Sequence, residues 1–381
     1  MVTTMKRTLF LPIFLLLAVV ALGVGCSPNT KGVELLGELI YKPHYAEGFS
    51  IYRSEDYTLL ITKNPWQGAE GIERKLMILK PGKSTPEGFE GEILNGHAKR
   101  IVCMSSSHIA MLSSIGADSL IVGVSGMEFI TNSYIKENRD KIGDVGYDGN
   151  INYELLLSLD PDIVLMYGVF GTGVMEPKLR ELGIPFVYIG EYVEQEPLGK
   201  AEWVVAIGEI AGLRLEAEEL YKDIPTRYNE LSKMARALDS RPRVMINIPY
   251  ADQWYMPSTK SYTAKLIEDA GGEYLFQRAT NGSDVIDIEE ALQLAFKADV
   301  WMDVKLNNID ELKRNYPRFA DIKSVVEGRV YNNDLRETPG GGNDYWESGI
   351  LYPHLVLQDM IMILHPELQL GKEFSYYRQL K

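Results

Sequence analysis

The stretch Ile151–Met166, with the sequence INYELLLSLDPDIVLM, decides the fold. It consists of a polar cap, a short apolar helix, a break at Asp160-Pro161 and a buried strand. The same order of features returns at Ile286–Met302, IDIEEALQLAFKADVWM, with one extra residue at the break. Helical patterns that alternate with short buried strands predict parallel sheets built from strand–helix–strand units. We therefore expect an α/β protein with two similar lobes.

On both sides of this repeat, helical patterns continue to alternate with short buried strands, and most of the chain can be assigned to two lobes on this basis. Residues 98–198 form the predicted N-terminal α/β lobe, and residues 241–381 form the C-terminal one. A mostly helical segment, 199–240, bridges the two. Two lobes joined in this way form a cleft, and clefts between domains are where small ligands bind.

Residues 33–97 precede the first lobe and differ from it. Runs such as 57–62 and 75–79 lie between clusters of Gly, Pro and Asn, a pattern typical of strands and turns. We interpret this region as a small β-rich N-terminal extension. Nothing in its sequence indicates a binding site.

The first 25 residues form a predicted export signal. Lys6 and Arg7 precede an apolar run, and small residues lead to Cys26. The run of about 16 apolar residues is too short for a transmembrane anchor, which needs roughly 20. The segment that ends at Cys26 resembles the lipobox of bacterial lipoproteins, which implies removal of residues 1–25 as a signal peptide and lipidation of Cys26. Residues 26–32 would then tether an exported, lipid-anchored protein that faces the periplasm.

Composition excludes several classes of protein. The chain has 381 residues and a formal net charge of −14, which argues against a nucleic-acid partner because phosphate binding needs a basic surface. With 2 Cys and 5 His, a disulfide scaffold or a zinc-ribbon framework is out of reach. Cys103 lies in an apolar run and is predicted to be a buried, free thiol. Tyrosine is unusually frequent, with 22 residues.

Several motifs follow one another along the chain. They are Arg100–Val102 with its serine-rich loop, Gly123–Ser125, the segment 152–166, Leu182–Pro185 and the C-terminal stretches 345–349 and 354–368. Their order resembles that of the class III periplasmic substrate-binding proteins of ABC importers, the group that carries iron siderophores, haem and vitamin B12. The resemblance implies two Rossmann-like lobes bridged by a long helix, with limited hinge motion. It also implies a monomer that captures a ligand and performs no catalysis.

In this family one exposed glutamate on each lobe docks onto an arginine pocket of the membrane permease, which works with an ATPase. By position in the repeat, the resemblance implies this role for Glu154 and Glu289, with Glu290 as the competing choice in the second lobe. A carboxylate in the first turn of a helix is stabilised by the helix dipole and stays ionised. Two such charges at a fixed separation would set the register of docking. The alternative is that each carboxylate only stabilises its own helix.

The ligand is expected at the carboxyl ends of the parallel strands, where loops line the cleft. A helix N-terminus with hydroxyl and N–H groups suits an anion, and aromatic side chains supply flat, amphipathic walls. Lysine and arginine pair with the acidic groups of a ligand. The candidate ligand-binding residues chosen for these reasons are Ser105, Ser106, Ser107, His108, Met127, Glu128, Tyr147, Tyr167, Tyr192, Tyr250, Trp254, Tyr255, Lys305, Arg336, Tyr345 and Trp346.

Such a wall suits a large, partly planar metal chelate, and a ferric siderophore, haem and a corrinoid such as vitamin B12 all fit. The serines are equally suited to ordinary helix capping, and His108 is either an axial metal ligand or a hydrogen-bonding wall. We expect no cofactor and no free-metal site, since His354 and His365 lie about 16 Å apart along one helix. The alternatives are a cell-envelope hydrolytic or nucleotide-binding enzyme, for which Gly171–Gly173 is weak evidence, and a non-transporting surface adhesion lipoprotein.

Overall fold

The structure is a computed structural model that describes residues 36–147, 149–169, 171–250, 253–280 and 282–381. The predicted export signal (residues 1–25) and the whole predicted tether (residues 26–32, including Cys26) therefore lie outside the described residues, as do residues 33–35. Within the described ranges, no helix combines the length and the apolar character needed to cross a membrane.

The N-terminal extension forms a sheet whose strands lie side by side in chain order. These strands are β1 (Glu38–Tyr41), β2 (Phe49–Arg53), β3 (Tyr57–Lys63), β4 (Glu73–Leu79) and β5 (Glu92–Asn95). The pairs are antiparallel except for β4 and β5, which are parallel. Leu59 and Met77 pack in a small cluster on one face, whereas Leu60 and Leu76 join the main core of the protein. The extension thus shares its hydrophobic core with the rest of the chain.

The first α/β lobe alternates strands and helices. Its elements are β6 (Ile101–Cys103), α1 (Ser106–Ser114), β7 (Ile121–Val124), α2 (Ser133–Glu137), β8 (Gly143–Asp144), α3 (Tyr153–Ser158), β9 (Ile163–Met166), α4 (Met175–Leu182) and β10 (Phe186–Tyr188). The strands form a parallel sheet in the order β10–β9–β6–β7–β8. Gly183 ends α4 in the left-handed conformation, with a φ of 67°, as the sequence predicts.

The segment that joins the lobes contains two helices rather than one long helix. Helix α5 (Pro197–Ala211) ends at Gly212, whose φ of 76° favours glycine, and α6 (Arg214–Arg236) follows directly. Pro225 lies inside α6 without ending it. At 1.5 Å per residue, α6 is about 35 Å long.

The second α/β lobe contains the remaining elements. They are β11 (Arg243–Ile246), β12 (Trp254–Pro257), α7 (Tyr262–Asp269), β13 (Glu273–Tyr274), β14 (Ser283–Ile286), α8 (Ile288–Ala295), β15 (Val300–Met302), α9 (Ile309–Asn315), α10 (Lys323–Val326), β16 (Val330–Asn332), α11 (Ser348–Leu351), α12 (Pro353–Leu364) and β17 (Arg378–Gln379). The main sheet has the order β13–β11–β15–β16–β17 and is parallel except for β17. A separate antiparallel pair, β12 with β14, was not predicted.

The repeat in the sequence corresponds to a repeat in topology. The first sheet contains the order β7–β6–β9–β10, and the second contains β13–β11–β15–β16, in which each strand occupies the equivalent place. Asp162 accepts a hydrogen bond from the backbone N–H of Arg100 at 2.9 Å, and Asp299 accepts one from that of Arg243 at 3.0 Å. The prediction of an α/β fold with parallel sheets is therefore confirmed.

Two buried carboxyl groups hold the extension against the first lobe. Glu202 on α5 accepts four hydrogen bonds at 2.7–2.9 Å, one from the Tyr41 hydroxyl and three from the successive backbone N–H groups of residues 44–46. Glu194 accepts another from the backbone N–H of Gly48 at 2.9 Å. Because both carboxyl groups are buried, these contacts fix the path of the extension over the lobe.

Candidate functional site

The serine-rich loop after β6 contacts another part of the protein. Ser107 Oγ donates a hydrogen bond to Glu191 Oε1 at 2.6 Å, and Ser105 Oγ lies 2.8 Å from Ser107 Oγ. Glu191, which follows β10, thus brings a carboxylate to the first turn of α1, and Ser107 is only 3% exposed. The Ser107 hydroxyl, one of the groups predicted to bind a ligand anion, is thus buried and bonded to Glu191, whereas its neighbours Ser105 and Ser106 are half-buried.

His108 is fully buried on α1. Its Nε2 lies 3.5 Å from Glu191 Oε1, an ion-pair distance, and neither ring nitrogen has a hydrogen-bond partner among the described residues. An axial ligand to a bound chelate needs a ring nitrogen that reaches the cleft. In this structure His108 is buried and faces Glu191 instead, which argues against a role as an axial ligand.

A buried cluster of polar side chains surrounds Glu191. It contains Glu191, Ser107, His108 and Lys200. Burial acts to raise the pKa of Glu191, but His108, the hydrogen bond from Ser107 and the charge of Lys200 outweigh it, and the pKa is lowered. Burial lowers the pKa of Lys200 to about 8 against the opposing effect of nearby carboxylates. Lys200 Nζ donates to two backbone carbonyls, including that of Glu191 at 2.7 Å, and lies 5.4 Å from the ring of Tyr262 in the second lobe. The cluster therefore connects the two lobes.

Aromatic side chains are exposed at the strand ends of the first lobe. The predicted tyrosines found there are Tyr147 (44% exposed), Tyr167 (37%) and Tyr192 (45%). Phe129 packs edge-on against the ring of Tyr147, with centroids 5.2 Å apart. Of the other two predicted residues in this region, Glu128 is exposed, whereas Met127 is buried in the core.

In the second lobe the predicted aromatic residues divide into an exposed and a buried group. The exposed ones are Tyr250 (77%), Tyr255 (42%) and Trp346 (48%). Trp254 and Tyr345 are each 1% exposed. Trp254 is on β12, where side chains alternate between faces, so its indole stacks on Trp301 while Tyr255 points outward. The structure thus places Trp254 and Tyr345 in the core.

The two predicted cations are exposed but differ in their surroundings. Arg336 forms an ion pair with Asp344 at 3.0 Å, and its guanidinium lies 4.5 Å from the ring centroid of Tyr376. Lys305 is exposed after β15 and has a φ of 49°, close to Asp303 with a φ of 60°. Left-handed conformations at such residues are costly and concentrate at functional sites. Lys305 is therefore the better placed of the two to pair with a ligand.

A direct contact joins the strand-end loops of the two lobes, and we call it the clasp. It consists of residues 126–131 after β7 and residues 338–347 after β16. Thr131 N–H donates to Glu347 Oε2 at 2.7 Å, and Thr338 Oγ1 donates to the backbone carbonyl of Glu128 at 3.1 Å. A Cβ added at Gly342 would lie 1.9 Å from the carbonyl oxygen of Phe129. The backbones therefore approach so closely that only glycine fits.

The two predicted docking residues occupy equivalent positions on the surface. Glu154 is exposed in the first turn of α3, and Glu289 is exposed in the first turn of α8. Arg318 forms a two-point ion pair with Glu289, at 2.6 and 2.8 Å. Glu290, the competing choice, pairs with Arg278. Only Glu154 lacks an ion-pair partner within the described ranges.

Sequence reasoning missed Glu191, Lys200 and the clasp. The run Gly340–Gly342 was the one available signal, because consecutive glycines often mark a close approach of two backbones. Cys103 is free and fully buried, as predicted. In the described part of the chain, no group of three or more His, Cys, Asp or Glu side chains is arranged to hold a metal ion.

Comparison with known proteins identifies the family. Residues 101–335 match the family described as periplasmic binding protein. The chain belongs to this family. Its members and the similar solved structures are solute-binding proteins of the class that includes haem and vitamin B12 carriers, and the protein is accordingly not an enzyme. Residues 36–97 precede the matched region.

The relatives include several lipoproteins. An uncharacterized lipoprotein of Methanocaldococcus jannaschii is 28% identical over 303 residues, which cover 76% of this chain and 70% of the relative. A second uncharacterized lipoprotein of that organism is 25% identical, and the alignment covers 98% of this chain and all of the relative. An uncharacterized ABC transporter substrate-binding lipoprotein of Bacillus subtilis is 23% identical over 62% of this chain and 73% of its own.

Two solved structures share the fold. A periplasmic heme binding protein from Pseudomonas aeruginosa superimposes with a TM-score of 0.57 at 18% identity, covering 74% of this chain and 98% of its own. A periplasmic vitamin B12 binding protein of Vibrio cholerae gives a TM-score of 0.53 at 15% identity, covering 71% and 98%. Together with the family match, these similarities describe a periplasmic binding protein of the ABC transporter type.

Proposed function

We propose that the protein captures a metal chelate in the cleft and delivers it to the permease of an ABC importer. The chelate is a ferric siderophore, haem or a corrinoid such as vitamin B12. The observation that carries this proposal is the set of exposed aromatic side chains at the strand ends of both lobes. Flat, amphipathic rings of this kind suit a large, partly planar ligand.

The proposed ligand-binding residues are the predicted ones that are exposed at the strand ends, apart from Arg336, whose guanidinium is already paired with Asp344. They are Glu128, Tyr147, Tyr167, Tyr192, Tyr250, Tyr255, Lys305 and Trp346. Lys305 would pair with an acidic group on the ligand, and the tyrosine hydroxyls would hydrogen-bond to its polar rim. The solved haem and vitamin B12 binding proteins with this fold support a ligand of this class.

The proposed transport step uses the exposed glutamate in the first turn of one helix on each lobe. Ligand binding across the cleft would stabilise one arrangement of the lobes, and in that arrangement Glu154 and Glu289 would dock together onto the permease, which is driven by its ATPase. The protein would act as a monomer held at the envelope by lipid on Cys26. The relatives that are named lipoproteins support this anchoring.

Titration of the full-length chain in mild detergent with hemin, cyanocobalamin and ferrichrome tests the proposal. A ligand at 100 times its dissociation constant stabilises the fold by about 2.7 kcal/mol, which a thermal shift detects easily. Trp346→Ala is expected to weaken binding of the active probe. Phe296→Ala is the control, because Phe296 is also an exposed aromatic residue (60%, against 48% for Trp346) but directly follows α8 rather than a strand. Absence of a response to all three probes would contradict the proposal.

A further inference from the structure

The loop between β3 and β4, residues 64–72, extends from the extension to the strand ends of the first lobe. We call it the extension loop. Asn64 closes it on itself, because its N–H donates to the carbonyl of Ile72 at 2.9 Å and its Oδ1 accepts from the N–H of Ile72 at 3.0 Å. The backbone N–H of Gln67 donates to the carbonyl of Val169 at 3.1 Å. The loop is thus tied both to its own base and to the lobe.

The contacts of the extension loop lie at the carboxyl ends of β9 and β10. The ring of Trp66 packs edge-on against Tyr188 of β10, with centroids 5.4 Å apart. Gly168, two residues after β9, lies so close that an added Cβ would be 3.0 Å from Trp66 Cβ. Val169, the partner of Gln67, follows directly. These are the strand ends at which ligands of open α/β sheets bind.

Gln67 is exposed beside exposed aromatic residues of the proposed site. Its side-chain Nε2 donates to the hydroxyl of Tyr192 at 3.4 Å, and Tyr192 is 45% exposed. The neighbouring strand end carries Tyr167, which is 37% exposed. An exposed amide, which has two donor hydrogens and an acceptor oxygen, therefore lies beside exposed tyrosines.

The extension loop and the clasp lie at opposite sides of the first sheet. The clasp follows β7, whereas the extension loop contacts the ends of β9 and β10, and β6 separates the two. The clasp joins the lobes on its side through Glu347 and Gly342. The side bounded by the extension loop is the side on which Tyr167 and Tyr192 are exposed.

We propose that the extension loop forms one wall of the ligand-binding site and that Gln67, together with Tyr192, contacts the polar rim of the bound chelate. This inference rests on the proposed function and gives the extension a role in ligand selection. The amide of Gln67 would donate to, or accept from, the carboxylate or amide groups at the edge of such a ligand.

The test compares the affinity of full-length variants for hemin, cyanocobalamin and ferrichrome. Gln67→Ala is expected to weaken the probe that binds by about fivefold, the effect of one hydrogen bond of about 1 kcal/mol. Gln67→Trp is expected to weaken it by about tenfold or more, since a bulky side chain would intrude on the ligand. Glu55→Ala and Glu55→Trp, at the exposed β2–β3 turn of the same sheet, are the matched controls and should bind normally. Thermal midpoints without probe check that each variant folds.

Each outcome decides the inference. Weakened binding in both Gln67 variants and normal binding in both Glu55 variants support it. Normal binding in the Gln67 variants overturns it and leaves the proposed function intact. Equal losses in the Glu55 variants also overturn it, because the effect is then not local to the loop. If the wild-type chain binds no probe, both the inference and the proposed function fail.

Discussion

The carboxyl group of Glu347 joins the two lobes within the clasp. It accepts the hydrogen bond from Thr131 and is only 2% exposed. Burial raises its pKa from 4.5 to about 7, and the negative charge of Asp344 acts in the same direction, while hydrogen bonds from Thr131 oppose the shift. Below about pH 7 the neutral form is therefore favoured in the folded protein, which makes the clasp sensitive to pH near neutrality.

The pKa of Glu347 predicts a pH dependence of stability. A carboxyl group whose folded pKa is raised stabilises the fold fully below its unfolded pKa, and this stabilisation is lost as the pH rises through the folded pKa. Between pH 4.5 and 7 the free energy of unfolding should thus fall by about 3 kcal/mol on account of this group. In Glu347→Gln the free energy of unfolding is therefore expected to fall less with pH than in the wild type, by about 3 kcal/mol between pH 4.5 and 7. Denaturant unfolding at several pH values measures this difference.

Exposed Glu373 provides the control for this experiment, since Glu373→Gln removes a carboxyl group without changing the clasp. Burial also raises the pKa of Asp303 to about 7, so a part of the wild-type slope should persist in Glu347→Gln. An unchanged slope in Glu347→Gln would rule out the assigned pKa.

Gly342 permits the close approach of the two backbones in the clasp. In Gly342→Ala the new methyl group would collide with the carbonyl oxygen of Phe129, and we expect a loss of about 1–3 kcal/mol in stability, measured by denaturant unfolding. Gly371→Ala is the matched control, because its nearest neighbour is the flexible side chain of Met362, 3.3 Å away. Equal stability of the two variants would contradict this account of the clasp.

Sequence patterns located the serine-rich loop but not the group that it binds. The helix that begins after Ser105 was predicted from local capping and apolar spacing. Its carboxylate partner, Glu191, is 84 residues from Ser107 along the chain, so no local pattern connects them. The burial of His108 could not be predicted for the same reason, since the residues around it come from distant segments.

At the scale of elements, the sequence predicted what depends on local signals. Asn152 and Asp287 cap α3 and α8 through their side chains, as the repeat indicates. The pairing of β12 with β14 was missed because some 25 intervening residues, including α7 and β13, separate the strands. Trp254 consequently lies in the core, since the face to which a strand residue points depends on register with a distant partner.

Helices α3 and α8 carry the proposed docking charges. Glu154→Ala combined with Glu289→Ala is expected to leave the affinity for the active probe unchanged and to abolish its uptake by cells that contain the permease. Probe titration and an uptake assay with labelled probe measure the two effects separately. Glu181→Ala combined with Glu327→Ala, at exposed glutamates of other helices and turns, is the control.

A further variant tests the docking assignment at Arg318, whose guanidinium donates hydrogen bonds to both carboxylate oxygens of Glu289. Docking onto an arginine pocket would require Glu289 to exchange this partner. Arg318→Ala should therefore preserve or increase uptake at limiting protein concentration. Normal uptake by the double glutamate variant would eliminate the docking assignment.

At the scale of the whole molecule, the extension belongs to the same folding unit as the lobes. Residues 36–381 form a single compact unit, and the ring of Phe49 packs against Trp203 of α5 at 4.8 Å. The short runs between clusters of Gly, Pro and Asn correctly indicated a β-rich extension. Its attachment was not predictable, because Glu202 lies more than 150 residues from the backbone groups that it binds.

This attachment predicts how the protein unfolds. Glu202→Gln exchanges one acceptor oxygen for an amide group that faces N–H donors, and we expect a loss of about 2–4 kcal/mol in stability. Tryptophan fluorescence and far-ultraviolet circular dichroism should still report one common transition. Glu196→Gln, at a carboxyl group about half exposed, is the control. A separate early transition of the extension would contradict its inclusion in the core.

The burial of Cys103 makes the protein suitable for distance measurements. Burial raises the pKa of its thiol, which suppresses reaction with labelling reagents. A chain that begins at Ser27 contains no other cysteine. Spin labels attached at exposed positions of the two lobes, for instance in Glu137→Cys with Glu327→Cys, would therefore report from those positions without background. Pulsed electron paramagnetic resonance could then record the separation of the lobes before and after ligand capture.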